Sequence, residues 1–373
     1  MDILNNVEGI FNESAGGGIN DLLSQFWGAW SQLSSNPSGT AERDNLVSIS
    51  QSLASMFRQK ANDLINIQTE VNTELSDTVT ELNKYLDEMV DLNNKVVQTE
   101  ISGGSAASAR DQRAELLLKI SNIIDVNYYE ESNGSLNIFI SNGKSLVEGT
   151  NVWKLDVEAN PANSNYYDII FEDTPGEAIN ERLSGGKLAA FIDVRDTKIV
   201  GYLDDFNEMA STIISEVNTQ HALGYDLYGN VGGDFFSTTS TLAKDMQISA
   251  TIVNDAGKIA ASATVNNGDG DNAGSINAIK DSLLMGGGIS SIDNFYQSLV
   301  ARVGNDVADA KRILDHQTAV MNQLESQKEA VSGVSVDEEM LNLIKYQAGY
   351  NAAARMCGVV NQMMDVLINL GKE

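Results

Sequence analysis

The last long run of the sequence, residues 335–370, has apolar positions at helical spacing. Ser335 and Glu338 have the S-x-x-E form of a capping box, which marks the start of a helix. At roughly 1.5 Å per residue such a helix would be about 54 Å long. One small core cannot cover that length, so we expect partner helices elsewhere in the chain, in other copies of it, or both. The apolar positions include Val336, Met340, Leu343, Ile344, Ala348, Ala352, Val359, Met363, Leu367 and Leu370.

A second, longer helix is predicted from Thr40 to about Glu100. Its apolar residues step by threes, fours and sevens, which is the pattern of a coiled-coil seam, and polar residues fill the faces between them. Such a helix needs a partner along most of its length. The helical runs 291–331 and 335–370 are the candidates for this partner.

Shorter helices are predicted from the same spacing. Residues 19–33 form an aromatic-rich amphipathic pattern, and we interpret its aromatic side chains as core. Residues 106–124 form another helix after the break at Gly103-Gly104. The pattern after Gly185-Gly186 gives a broad apolar helix face that ends near His221.

In two stretches of the sequence, apolar and polar residues alternate with a period of two, which indicates strands. In the first, apolar residues alternate with polar ones at 136–140, 152–157 and 166–171, and Asn142-Gly143 is a hairpin turn signal. In the second, residues 246–253 and 259–265 alternate likewise and are predicted as strands. The sequence therefore predicts a small β domain inserted into a helical chain.

The resulting fold class is α+β. A long antiparallel helical bundle or coiled-coil rod is formed by both chain ends, and a small mostly-β domain projects from it. The predicted segments are the N-terminal part of the rod (1–122), the first part of the β domain (123–182), a long helix returning to the rod (183–222), the second part of the β domain (223–275) and the C-terminal part of the rod (276–373).

Charge limits the classes of partner. The chain has 24 Lys and Arg against 52 Asp and Glu, which gives a formal charge of -28. A field of that sign repels phosphate backbones and anionic membranes, so neither nucleic acid nor membrane is an expected partner. No signal peptide opens the sequence. The protein is therefore either cytoplasmic or exported by a route that does not use such a signal.

Residues with catalytic or metal-binding chemistry are few. Cys357 is the single cysteine and is expected to be a small buried residue within a helix. His221 and His316 are the two histidines, and neither has a second ligand at a metal-binding spacing. The Asn- and Asp-rich loop at 267–272 lacks the later Glu of a calcium loop and is interpreted as a plain Asx turn. The sequence thus predicts no cofactor, no metal and no catalytic residue.

Several motifs together resemble a known family. They are Pro37…Arg43, Arg110-Asp-Gln-Arg113, Gly185-Gly-Lys-Leu188…Arg195-Asp196, Glu216-Val-Asn218…His221…Gly224-Tyr-Asp-Leu227…Phe235-Phe236, and Ser332-Gly333…Asp337-Glu338-Glu339-Met340…Tyr346-Gln347…Tyr350…Ala352. In this combination the chain resembles the hook–filament junction proteins of the bacterial flagellum, the hook-associated protein 1 family. The resemblance covers nearly the whole sequence.

The resemblance implies a structural building block that is not an enzyme. Copies would form a ring at the tip of the hook, in contact with the hook protein and the second junction protein. It also implies location outside the cell, export without a cleaved signal peptide, and an export chaperone that binds the C-terminal helix. Family members carry a further N-terminal segment that pairs with this helix. We therefore expect the chain to be a shortened form in which residues 355–370 are frayed, swapped or self-associated.

The predicted assembly residues lie in the C-terminal run. Met340, Leu343, Ile344 and Tyr350 are expected to pack between helices, Ser335 and Glu338 to cap the helix start, and Tyr346 to take part in assembly. Two alternatives stay open at this point. The chain could be another hook or filament component, or an unrelated secreted adhesin or enzyme on a helical stalk.

Overall fold

The computed structural model describes residues 1–12, 17–141, 143–266, 268–332 and 336–370. The chain divides into two compact units, 1–307 and 308–373. The helices are α1 (Asp2–Phe11), α2 (Ile19–Ser35), α3 (Thr40–Ile101), α4 (Ala107–Ile123), α5 (Gly186–Asp193), α6 (Ile199–His221), α7 (Ala250–Asn254), α8 (Asp271–Ala278), α9 (Ile292–Ser332) and α10 (Val336–Leu370). The strands are β1 (Val126–Glu130), β2 (Leu136–Ile140), β3 (Ser145–Glu148), β4 (Asn151–Val152), β5 (Leu155–Ala159) and β6 (Tyr167–Phe171).

The predicted α+β class, with long helices at both ends and a small inserted sheet, is confirmed. Strands β1 to β4 form one antiparallel sheet in sequence order, and β5 pairs with β6 in a separate hairpin. Gly143 has a φ of 91° in the turn between β2 and β3, a conformation that favours glycine. Its predicted turn partner, Asn142, lies outside the described residues.

Helix α3 is the axis of the first unit. Its seam is buried from Leu46 to Val96, as the sequence predicts for a coiled-coil-like helix. Its partners in this unit differ from the prediction, which named the C-terminal runs. Helices α1, α2, α4, α5 and α6 and strand β5 pack on it instead. A seam of this kind specifies only that apolar surface must cover it, and the short aromatic helix α2 and the sheet provide that surface.

The first core is rich in aromatic side chains. Phe57 of α3 stacks on Phe206 of α6 with ring centroids 4.8 Å apart. Trp30 of α2 lies 5.1 Å from Phe235, and both are fully buried. Ring pairs at these distances contribute about 0.5–1.5 kcal/mol each beyond their buried area. The interpretation of residues 19–33 as a core helix is therefore confirmed.

The second core lies between the other half of α3, helix α4, helix α5 and the sheet. The β1–β2 register places Tyr128 opposite Ile138, and the inward face of β2 is buried. Asn93 of α3 joins helix to sheet because its side chain donates to the Leu136 carbonyl (2.8 Å) and accepts from the Leu136 N–H (3.0 Å). The sheet is thereby fixed to the same helix that carries the first core.

Residues 246–253 and 259–265 are not strands, which corrects the prediction of a second β part. Helix α7 and short turns occupy the region, and its β pairing in the described residues is limited to isolated bridges. Side chains take the hydrogen bonds that a sheet would have supplied. Arg43 Nη1 donates to the Ile259 carbonyl (2.7 Å), and Asn272 Nδ2 donates to the Ala260 carbonyl (2.7 Å). Burial does not alternate here, since Ile259, Ala260, Ala261 and Ser262 are all buried, so the alternation in the sequence reflects neither strand pairing nor a single buried face.

A bulge of five residues, Val194–Lys198, interrupts the helix that runs from α5 into α6 and has π-helical geometry. Arg195 in this bulge is fully buried. Its guanidinium donates to both carboxylate oxygens of Asp196 and to Asn72 Oδ1 of α3, each at 2.7 Å. Asn72 also accepts the Tyr167 N–H of β6 (2.8 Å). This polar joint connects α3, the bulge and the hairpin where the two cores meet.

We predict that Arg195→Met lowers the free energy of unfolding by roughly 3 kcal/mol, because it removes three charge-assisted hydrogen bonds and leaves the half-buried Asp196 carboxylate without its guanidinium. Urea denaturation of the purified chain measures the change. Arg182→Met is the control, since the Arg182 side chain is 44% exposed and its ion pair with Glu177 is worth little. Equal stability of the two variants would contradict the importance of the joint.

His221 ends α6 inside the first core and is fully buried. Its Nδ1 lies 2.6 Å from the Gly233 carbonyl, and its Nε2 accepts the Ala260 N–H at 2.8 Å. Nδ1 therefore carries the proton and donates, and Nε2 has no proton. Burial lowers the pKa of His221 to about 4. The histidine is a structural link between two loops, which its place at the end of a helical pattern did not indicate.

We predict that His221 makes the stability of the chain depend on pH. Between pH 6.5 and about 4 the unfolded chain binds a proton that the folded chain does not, so stability falls as pH falls. The slope is about 1.4 kcal/mol per pH unit for one proton. Urea denaturation at several pH values, followed by tryptophan fluorescence, should give a slope of stability against pH that is steeper by about one proton in the wild type than in His221→Gln. Identical slopes would contradict the assignment.

Candidate assembly surface

Six of the seven predicted assembly residues lie on α10, which belongs to the second unit. Ser335 lies outside the described residues, and so does the side chain of Glu338, so the predicted capping pair stays a prediction. Helix α10 begins at Val336. Its polar first turn and the apolar residues that follow agree with the predicted helix.

The remaining predicted residues are all exposed. The exposed fraction is 55% for Met340, 56% for Leu343, 55% for Ile344 and 77% for both Tyr346 and Tyr350. Apart from Tyr346, their spacing places them on one stripe of the helix, because residues three and four apart are neighbours on a helix surface. All of them except Ile344 line an open, mainly apolar concavity, together with Glu339, Asn342, Gln347 and Asn351. The structure thus brings these predicted residues together on the surface of one helix.

Helix α10 exposes more apolar surface than the sequence pattern suggested. Neighbouring pairs such as Val359 and Val360, or Met363 and Met364, cannot lie on one narrow stripe, so the apolar surface extends around the helix. The prediction missed Leu341, Val360, Met364, Val366 and Ile368, which are 52–66% exposed. The presence of adjacent apolar residues in the sequence was the signal that could have found them.

The part of α9 that belongs to the second unit has the same character. Ile313, Leu314, Met321 and Leu324 are 47–56% exposed. Cys357 of α10 is also exposed, which corrects the expectation of a buried cysteine. A helix that is apolar on several sides is stable when other helices cover it. The helices of the second unit therefore carry exposed apolar surface that other helices could cover.

The described residues contain no group of three or more His, Cys, Asp or Glu placed to hold a metal ion. Among the helices described, none is both long and apolar enough to cross a membrane. The loop around residue 268 is organised by Asp269, whose Oδ2 accepts the N–H groups of Ala263 (3.0 Å) and Thr264 (2.9 Å). Asn267 lies outside the described residues.

Comparison with known proteins agrees with the helical architecture. Residues 4–236 match the family model described as the flagellar hook-associated protein FlgK helical domain. Residues 327–370, which contain α10, match a second model, the flagellar basal body rod FlgEFG protein C-terminal.

Curated relatives cover most of the chain. It is 29% identical to flagellar hook-associated protein 1 of Bacillus subtilis over 98% of this chain and 79% of the relative. It is 24% identical to flagellar hook-associated protein 1 of Escherichia coli over 93% of this chain and 80% of the relative.

A solved structure has the same fold. The flagellar hook junction protein FlgK from Burkholderia pseudomallei superposes with a TM-score of 0.79 at 16% identity, covering 89% of this chain and 97% of that one. The family-model match spans well over half of the sequence. The chain therefore belongs to the FlgK family of flagellar hook-associated proteins and is a structural component of the bacterial flagellum, outside the cell.

Proposed function

We propose that this chain assembles into a ring of identical copies that adapts the flagellar hook to the filament. The observation that supports this most is the exposed apolar surface of α10. Burying one Leu, Ile or Met side chain contributes about 1.5–3 kcal/mol, so covering several of them gives a strong driving force for assembly. In this proposal α10 of one copy packs against helices of neighbouring copies through Met340, Leu343, Ile344, Tyr346 and Tyr350.

The partners in this proposal are other flagellar proteins. The hook protein would contact one end of the ring, and the second junction protein would contact the other. An export chaperone would cover the apolar surface of α10 before assembly, because a chain with such a surface risks aggregation inside the cell. The chain would leave the cell without a cleaved signal peptide.

In this proposal the chain acts by assembly alone, without catalysis and without a cofactor. Its formal charge of -28 disfavours nucleic acid and anionic membranes as partners. Capping of α10 by Ser335 and Glu338 remains part of the proposal.

Another hook or filament component is the second candidate, and the match of residues 327–370 to the rod protein C-terminal model is the observation in its favour. The match of residues 4–236 to the FlgK helical domain weighs more, because it includes the whole second core and most of the first. No such observation favours the stalked adhesin or enzyme.

We predict that Leu343→Ser combined with Ile344→Ser abolishes junction assembly without unfolding the chain. Both side chains are more than half exposed in the single copy, so thermal unfolding should not change. Loss of two apolar contacts should weaken assembly by at least about tenfold. The measurement is motility and filament growth in cells that carry the variant as their only copy.

Leu343→Met combined with Ile344→Val is the matched control and should support filament growth, because it keeps an apolar surface of similar volume. Normal filaments with the serine variant would contradict the proposed role of α10. So would loss of filaments in both variants when the purified proteins are folded.

A further inference from the structure

The four-stranded sheet of the first unit has an open edge at β1. Strand β1 pairs with β2, and no other strand of the described chain lies on its other side. Four of its five residues are exposed, and the exposed fraction is 59% for Tyr128 and 51% for Tyr129. These two residues are neighbours on a strand, so their side chains point to opposite faces of the sheet. Both faces of β1 are therefore accessible.

The backbone of β1 directs hydrogen-bonding groups to this open edge. The Glu131 N–H donates to the Ser135 carbonyl (2.8 Å), so these two residues form a hydrogen-bonded pair in the β1–β2 register. Such pairs alternate with non-hydrogen-bonded pairs along an antiparallel ladder. Tyr129 therefore directs its N–H and C=O to β2, whereas Tyr128 and Glu130 direct theirs away from it. An open edge of this kind is a template for another strand.

Strand β1 lacks the features that protect an edge from pairing. It contains neither Pro nor Lys, the residues that most often do so. Its one charged residue, Glu130, forms ion pairs with Arg110 and Arg113 of α4. The charge of this carboxylate is thus compensated within the copy and does not oppose an incoming strand.

The opposite edge of the same sheet is β4. The Trp153 N–H donates to the Leu146 carbonyl of β3 (2.9 Å), so the preceding residue, Val152, directs its N–H and C=O away from β3. An open concavity lies beside this edge and is lined by Val152, Trp153, Lys154, Glu172 and Asp173. The sheet therefore presents backbone donors and acceptors at both of its edges.

The two edges match each other in strand direction. Four antiparallel strands in sequence order place β1 and β4 in opposite directions. When a neighbouring copy in the same orientation is laid alongside, its β4 therefore runs antiparallel to β1 and continues the alternation of the sheet. An even number of strands is what makes this possible, because an odd number would bring two parallel edges together.

The two edges also match in their side chains. One cross-strand row runs through Tyr128, Ile138, Val147 and Val152. Placing Val152 of the neighbour opposite Tyr128 extends this apolar row, and an aromatic residue opposite a β-branched one is a favourable cross-strand pair. In this register Glu130 faces the neighbour's Thr150, so no two acidic residues of the strands oppose each other directly.

We propose that β1 of one copy pairs with β4 of the next, so that the sheets of identical copies join into one continuous sheet around the ring. The proposal rests on the proposed function, which supplies the ring, and it adds a contact in the first unit to the one assigned to α10. A head-to-tail contact repeats identically at every copy and generates a ring when the rotation between copies closes. Pairing of β1 with another β1 would instead be two-fold and would end at a dimer.

Cross-linking in the assembled flagellum tests the proposal. Tyr128→Cys and Val152→Cys are combined in a Cys357→Ser background, in cells that carry this variant as their only copy. The Cα atoms of a hydrogen-bonded antiparallel pair lie about 5.5 Å apart, which is within the range of a disulfide. Oxidation of isolated flagella should link the chain into a ladder of dimers, trimers and larger multimers on non-reducing gels.

Tyr128→Cys combined with Leu283→Cys, in the same background, is the control, because Leu283 is also 59% exposed and lies outside the sheet. This control should give no ladder. If the Tyr128/Val152 variant remains monomeric after oxidation of the flagella, the proposal is overturned. A dimer formed by Tyr128→Cys alone would overturn it as well, because that dimer indicates two-fold pairing.

A proline at the open edge provides a second test. Tyr128→Pro removes an N–H that points away from β2, and proline is tolerated at such edge positions, so the purified variant should unfold at the wild-type temperature. Its amount in isolated flagella should fall at least about tenfold, whereas Tyr128→Phe should be incorporated as the wild type is. Undiminished incorporation of the proline variant would contradict the pairing. If the proline variant does not fold, Tyr128→Lys replaces it, because an edge lysine also opposes strand addition.

Failure of this proposal can be told apart from failure of the proposed function. If the Tyr128/Val152 cysteine variant is incorporated at the junction but is not cross-linked, the copies assemble through other contacts and the proposed function stands. If the wild-type chain is absent from the junction, both proposals fail.

Discussion

One long helix must be covered along its whole length, and the first unit is built around that constraint. Helix α3 has 62 residues and an apolar seam on one side, and it would not be stable alone. Aromatic residues of α2 and α6 cover one half of it, and α4, α5 and the sheet cover the other half. Ile67 packs against both cores. Next to it, Gln68 donates to the Arg195 carbonyl (2.8 Å), so the polar joint lies where α3 changes partners.

The second unit also has a long helix with apolar residues, but in the single copy these residues are left uncovered. The apolar residues of α10 are exposed in the single copy, so covering them with other helices would add burial free energy. In the proposed function, other chains of the flagellum provide that cover. The first unit, in contrast, buries its apolar side chains within its own two cores.

Helix periodicity in the sequence was sufficient to predict α2, α3, α9 and α10, since each repeats over many residues. The sequence pattern failed for residues 246–265, because alternation of apolar and polar residues does not show whether a backbone partner is present. It also failed for the partners of α3, since an apolar seam does not identify the surface that covers it. In residues 246–265, hydrogen bonds from Arg43 and to His221 take the place of strand pairing. Both residues are distant in the sequence, so no short-range pattern encodes these bonds.

The candidate site was predictable where its residues share one stripe, as Met340, Leu343, Ile344 and Tyr350 do. Residues such as Val360 and Met364 were missed because the pattern was fitted to a single face. The sequence also predicted burial for Cys357 from its apolar neighbours, whereas the structure exposes it. Apolar neighbours in sequence imply burial only when another element covers them.

The central claim is that the apolar surface of α10 is buried by other chains in the flagellum. Labelling of a single cysteine tests it most directly. Leu343→Cys in a Cys357→Ser background is treated with a maleimide, in the free chain and in isolated flagella, and labelling is normalised to the denatured protein. The account predicts rapid labelling of the free chain and strong protection in the flagellum. Equal labelling in both would contradict it.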